Sequence, residues 1–200
     1  KLWTKDFLLF FGSNFFIGRN FYLLMTTMTL YAMQQFAASE SLAGLASSIF
    51  VIGALIARLL VGGIVEKLGR KKLLYSGLAL FMIATFLYFF SSSIIVLFIV
   101  RLINGIAFGI ANTAMNTTVM DSLPKDRRGE GTGYFSLSST TATAIGPFLG
   151  IWLMNRYDMQ MIFIFTSAIA VAALLFALIA TVKEADLTPD QRKAISFSLK

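Results

Sequence analysis

Residues 53–72 read GALIARLLVGGIVEKLGRKK, an apolar run that gives way after Gly62 and Gly63 to a short basic loop holding Glu66, Lys67, Gly69, Arg70, Lys71 and Lys72. The loop divides two apolar stretches, 42–65 and 73–91, each long enough for the roughly 20 residues that a bilayer demands of a helix. A second charged motif, Arg101-x-x-x-Gly105-x-x-x-Gly109, lies inside the next stretch, 94–120. A guanidinium at bilayer depth costs at least about 2.5 kcal/mol, so a purpose is expected of it.

Four further features extend this reading to the whole chain. Apolar segments recur at 7–33, 42–65, 73–91, 94–120, 131–155 and 160–182, joined by short connectors. Backbone polar groups in lipid must be satisfied within the segment, which makes these spans helices. The first span is too long for a cleavable signal peptide and is followed by five more. Hydrophobic residues make up 57% of the chain, charged residues 14%, and mean hydropathy is +0.77; a soluble domain would carry nearer a quarter charged.

No Cys and no His occur in the sequence. Disulfides, thiol nucleophiles and zinc sites of the usual kind are therefore excluded, no cofactor is implied, and an enzyme is not expected. The net charge of +7 does not point to nucleic acid, because the basic residues sit in short loops between apolar segments rather than on one soluble face.

All but four of the 17 basic residues fall at the N-terminal end, in the second and fourth connectors or in the C-terminal tail. The opposite side holds only Arg156. By the positive-inside rule both termini are cytoplasmic, in keeping with six spans. Arg19, Arg58 and Arg101 lie within spans, and no acidic residue lies near a span centre. A cavity bounded by such a field favours anionic groups.

The chain resembles the N-terminal half of a major facilitator superfamily transporter, most closely bacterial drug/proton antiporter-type exporters. Gly62-x-x-x-Glu66-Lys67-x-Gly69-Arg70-Lys71-Lys72 is similar to the family's loop between helices 2 and 3, and the Arg101 motif to that of helix 4. In the fifth span, Gly133, Ala142 and Gly146-Pro147-Phe148-Leu149-Gly150 resemble the exporter-associated motif, and Pro124-x-x-Arg127-Arg128-Gly129-Glu130 the loop before it. Glu66 stands where the family usually has Asp, Ala142 where it has Gly, and Ile151 where a second Gly follows.

The resemblance implies a conformational latch at Gly62, Glu66, Lys67, Gly69, Arg70 and Asp121. In it Glu66 meets the missing half, and Arg70 pairs with Asp121 in the outward-facing state only. It implies proton coupling at Arg101 and a gate or packing bend at Gly146, Pro147 and Gly150. At 100° per residue, Arg101, Gly105, Phe108, Asn112, Met115 and Asn116 form one stripe on the fourth span. Arg101, Asn112 and Asn116 are read as substrate contacts, Gly105 and Gly109 as packing positions. Arg19, with Asn20 and Tyr22, is the leading substrate candidate; its alternative is a bond to carbonyls or to Ser138 or Thr141. Arg58 is expected to steady the loop region.

The architecture read from these features is an all-α membrane protein of six transmembrane helices, two inverted three-helix repeats (1–93 and 94–182) forming an N-terminal bundle over 1–182. Residues 183–200, where Thr188-Pro189 and Gln191 give a helix-start signal, resemble the start of a cytoplasmic linker to a second six-helix half absent from this chain. The expected function is proton-coupled efflux of a small amphipathic or anionic compound by alternating access, in the multi-pass setting of a bacterial cytoplasmic membrane. Protons, a small-molecule substrate, membrane lipids and the second half are its partners. Uptake of a nutrient anion, or a non-transporting lipid-binding scaffold, are the alternatives.

Overall fold

A computed structural model describes residues 2–62 and 68–182, and among them every regular element is helical. α1 spans Lys5–Phe36, α2 Glu40–Gly62, α3 Arg70–Phe86 with a 3-10 turn over Leu87–Phe90, α4 Ile94–Ser122, α5 Arg128–Met154 after a 3-10 turn at Lys125–Arg127, and α6 Met159–Ile179. All six are long and apolar enough to cross a membrane, and each lies on one of the six apolar runs. Glu66, Lys67 and the helix start at Thr188 fall outside the described residues.

Local chemistry sets the helix ends. Thr4 Oγ1 accepts from the Phe7 amide, 3.2 Å, and Ser93 Oγ from the Val96 amide, 3.3 Å, which satisfies amides that the helix start leaves unpaired. α1 closes on Ala37 in the left-handed region, φ 49°. Gly69 precedes α3 at φ 86°, a conformation that a side chain would resist.

The packing repeats itself. α1 lies against α5 and α6 as α4 lies against α2 and α3, with α3 and α6 in contact behind them. Exchanging the first three helices for the last three thus reproduces the main contacts, as the two-repeat reading expects. Small residues make the approach possible on the α2–α4–α3 side. A Cβ on Gly109 would lie 2.6 Å from the Ala54 carbonyl oxygen, one on Gly53 2.5 Å from that of Leu102, and one on Gly77 2.7 Å from the Ala111 amide. Gly105 rests directly on the Phe50 carbonyl. In lipid, such backbone approach supplies the packing attraction that hydrophobic burial supplies in water.

α5 is the odd helix. Much of its length is exposed, and the hydroxyls of Thr132, Ser136, Thr140 and Thr143 on that face each donate to the carbonyl four residues back.

Candidate functional site

A cavity of about 390 Å³ opens between α1, α2, α4 and α5, within the range of small-ligand sites. Its walls carry the rings of Phe21, Tyr22, Phe50 and Phe108. Phe21 stacks on Phe50 with centroids 4.9 Å apart, and Phe108 lies 5.4 Å from both. The polar part is one hydrogen-bonded chain through all four helices. Arg58 Nη2 donates to Asn112 Oδ1, 3.3 Å; Asn112 Nδ2 donates to Asn14 Oδ1, 3.1 Å; Asn14 Nδ2 donates to Ser138 Oγ and Ser139 Oγ, 2.7 and 3.0 Å. Asn116 Nδ2 donates back to the Asn112 carbonyl, 2.7 Å.

Arg58 is the single charged residue among the lining side chains, and its guanidinium lies 5.9 Å from the Phe108 ring centroid. Among the described residues it has no carboxylate partner. The side chain is exposed at the cavity mouth, where its remaining donors are free for an acceptor. Aromatic walls, amides and a lone cation together suit a ligand with an apolar body and an anionic or strongly accepting group.

This arrangement redistributes the residues singled out in the sequence. Tyr22 and Asn112 line the cavity, and Asn116 braces Asn112. Arg58, expected to steady the loop region, is instead the cavity's cation. Asn14 and Ser139 line the cavity, with Ser138 buried behind them, and the sequence does not single them out as cavity residues; its one signal is Asn14 lying one turn before Gly18, on the face that meets α5.

Arg101 does not reach the cavity. It is fully buried and donates from Nε to the Ala46 carbonyl, 2.9 Å, from Nη2 to the Ser47 carbonyl, 3.1 Å, and from Nη1 to the Tyr88 hydroxyl, 3.4 Å. Phe50 lies beneath the guanidinium at 4.8 Å. Tyr88 in turn donates to Asn104, whose amide donates to Thr85 Oγ1 and to the Phe81 carbonyl. The group is a packing knot of α4 with α2 and α3. Its cost of burial is offset by hydrogen bonds to backbone oxygens rather than by a counter-ion.

Arg19 and Asn20 also turn away from the cavity. Asn20 is buried and donates to the Thr166 carbonyl on α6, 3.2 Å. Arg19 sits between the α1 surfaces that meet α5 and α6, with its guanidinium 5.7 Å from the Phe15 centroid and 5.1 Å from that of Phe165. Neither hydroxyl weighed for it holds it, and Ser138 is taken by Asn14.

At the other landmarks, Arg70 and Asp121 form an ion pair, with Arg128 3.9 Å from the same carboxylate. Gly62 ends α2 with open space around it. Gly146 and Gly150 seat α5 on α1: a Cβ on Gly146 would lie 2.6 Å from Tyr22 Cβ, and one on Gly150 3.1 Å from the Leu23 carbonyl oxygen. Pro147 stands within the continuous α5.

Residues 10–199 match the family model described as Major Facilitator Superfamily. An uncharacterized MFS-type transporter of Methanocaldococcus jannaschii is 27% identical over 96% of this chain and 47% of its own length. Multidrug resistance protein 1 of Bacillus subtilis is 26% identical over 90% of the chain and 46% of its own length. Quinolone resistance protein NorA of Staphylococcus aureus is 25% identical over 89% and 43%. The chain thus spans about half the length of the curated relatives it matches. In fold it is similar to the peptide transporter POT in complex with sulfate (TM-score 0.81, 17% identity, 98% of this chain and 43% of that one) and to the inward open xylose transporter XylE from E. coli (0.73, 19%, 96% and 51%).

Proposed function

This chain belongs to the Major Facilitator Superfamily, and on that premise we propose that it forms the N-terminal half of a proton-coupled exporter of a small amphipathic or anionic compound. The observation that carries the reading is the α1–α2–α4–α5 cavity, in which Arg58 is the sole charge amid aromatic rings and amides. The names of two relatives, a multidrug resistance protein and a quinolone resistance protein, support export over uptake.

In this reading a second six-helix half covers the open faces of α2 and α5 and completes the site. The substrate's apolar body lies against Phe21, Phe50 and Phe108, and its acceptor group meets Arg58 and Asn112. The termini and the Arg70–Asp121 pair lie on the cytoplasmic side. That pair closes the outward-facing state and opens in the inward-facing one, alternating access being a rocking of two rigid halves. Arg101 holds α4 to α2 through the cycle, and its link to proton movement passes through that packing rather than through substrate contact. The carboxylate that carries the proton belongs to the second half. The multi-pass setting is a bacterial cytoplasmic membrane.

The test is ligand binding to the chain in nanodiscs, followed by flux in proteoliposomes with its second half. The probes are naphthalene sulfonate and a naphthyl-trimethylammonium of the same size. We expect the sulfonate to bind more tightly and Arg58→Ala to weaken it at least about tenfold, as loss of a charge-assisted hydrogen bond implies. Arg58→Lys should keep part of the affinity. Tighter binding of the ammonium probe, unchanged in Arg58→Ala, would overturn the anion reading, and flux insensitive to a pH gradient would overturn the coupling.

A further inference from the structure

A second and larger groove lies at the other end of the bundle, where α1 and α3 finish and α6 begins, remote from the Arg70–Asp121 pair. Its volume is about 670 Å³. Phe163 forms the floor, stacked on Tyr88 at 5.6 Å and met edge-on by Tyr31 at 5.5 Å and Phe89 at 5.8 Å. Tyr157 and the carboxylate of Asp158 stand at the rim.

The charge at this site is opposite to that of the central cavity. Asp158 is the one charged residue among the lining side chains, and neither Lys nor Arg contributes. Its carboxylate has no hydrogen bond or ion pair among the described residues, and it does not cap α6. The nearby Arg156 makes no ion pair with Asp158 and lies 5.2 Å from the Trp152 ring centroid. The other polar walls are the neutral amides of Gln34, Gln35 and Gln160. A single carboxylate is too few for a metal site, and no cluster of metal-ligating side chains occurs among the described residues.

Aromatic faces beside an unpaired carboxylate recognise one chemistry above others. An organic ammonium gains ring-quadrupole attraction that neither a neutral nor an anionic group can match. The lining also includes the apolar side chains of Met154, Met159 and Ile162, against which an attached alkyl group can lie. We propose that this groove binds the ammonium group of an amphipathic amine, with Asp158 as counter-ion and Tyr31, Phe89 and Tyr157 as walls. The site is separate from the transport cavity and does not depend on the exporter reading.

The chain has two tryptophans, and Trp152 lies 6.2 Å from Tyr157, so Trp3→Phe leaves one reporter at the rim. In nanodiscs of phosphatidylglycerol, which has no amine, choline is titrated against its uncharged isostere 3,3-dimethylbutanol. Choline should give a saturable change in Trp152 emission that dimethylbutanol does not. Asp158→Asn and Tyr157→Leu, both at exposed positions, should each weaken it about fivefold. An equal response to both probes, or an unchanged choline titration in Asp158→Asn, would overturn the proposal. Repeating the titration in phosphatidylcholine identifies the source: a response already saturated marks a lipid headgroup as the occupant, and an unchanged titration marks a free amine.

Discussion

Replacing Gly105 by Ala should unfold the chain at a distinctly lower temperature, because the α2–α4 seam has no room for one methyl group. The added Cβ would lie against the Phe50 carbonyl, 2.8 Å from its carbon, where an ordinary contact starts at 3.4 Å. The helices must part by at least that difference, and the neighbouring approaches at Gly109 and Gly53 open with them. Separation of that size also stretches the Arg101–Ala46 bond from its present 2.9 Å beyond the usual limit of roughly 3.2 Å. Overpacking of this kind costs about 1–3 kcal/mol, and weakening a hydrogen bond to a charged donor adds about 1.5 kcal/mol or more. A total near 3 kcal/mol corresponds to a fall in Tm of about 6–12 °C for a chain of this size. The assay is thermal unfolding in detergent, with Gly44→Ala as its partner. Gly44 lies in α2, the other helix of the seam, but has nothing within 4 Å of a built Cβ, so that substitution should raise stability by about 0.5–1 kcal/mol. A Gly105→Ala protein at or above the parent Tm would refute the argument that backbone approach and the Arg101 knot are one unit.

Further expectations follow from the same contacts. Arg101→Met should cost about 1–3 kcal/mol, because it leaves the buried Ala46 and Ser47 carbonyls and the Tyr88 hydroxyl without their donor but strands no charge, while probe binding by the folded fraction persists; loss of binding at unchanged Tm would restore Arg101 to the cavity. Arg19→Met should leave probe affinity within about twofold and Tm unchanged or raised, since only ring contacts of about 0.5–1 kcal/mol are lost; abolished binding would return Arg19 to the substrate. Asn14→Leu cuts the polar chain between Asn112 and Ser138, and should weaken sulfonate binding while leaving the choline response of the far groove intact. A double-mutant cycle on Arg70→Ala and Asp121→Ala should give a coupling of about 1 kcal/mol that shrinks with salt, because Asp121 is 38% exposed while Arg70 is only 11% exposed; zero coupling at low salt would remove the pair from the latch.

The bundle was legible because hydropathy decides it directly. Apolar runs of helical length bounded by basic loops admit one solution in lipid, and the helices lie on those runs to within a few residues. The site was less legible because a membrane helix is polar for two reasons that share a signature. Arg101 and Asn112 are eleven residues apart, which at 100° per residue leaves them about 20° apart on one stripe. One end of that stripe is covered by α2, which hands Arg101 its carbonyls; the other end opens into the cavity at Asn112. α2 runs beside both, its Ala46 and Ser47 enclosing Arg101 while its Arg58 meets Asn112 where Asn14 and Ser139 border the cavity, and no periodicity within α4 encodes that difference. Arg58 is hard to read for the complementary reason: its position near the basic loop suggests a role there, while the turn of α2 aims it at Asn112. Arg19 looked central by depth, yet depth says nothing of azimuth, and its neighbours Tyr22 and Asn20 face different partners.

The exposed face of α5 has a mechanical meaning. The hydroxyls of Thr132, Ser136, Thr140 and Thr143 there already spend their donors on their own helix, so a helix lying against this face is offered only their lone pairs, as acceptors. Against a neighbour that brings no donors of its own, the resistance to sliding there is set by van der Waals contact and varies little with register. Such a surface behaves as a bearing, on which a neighbour can glide through many positions without a stepwise toll.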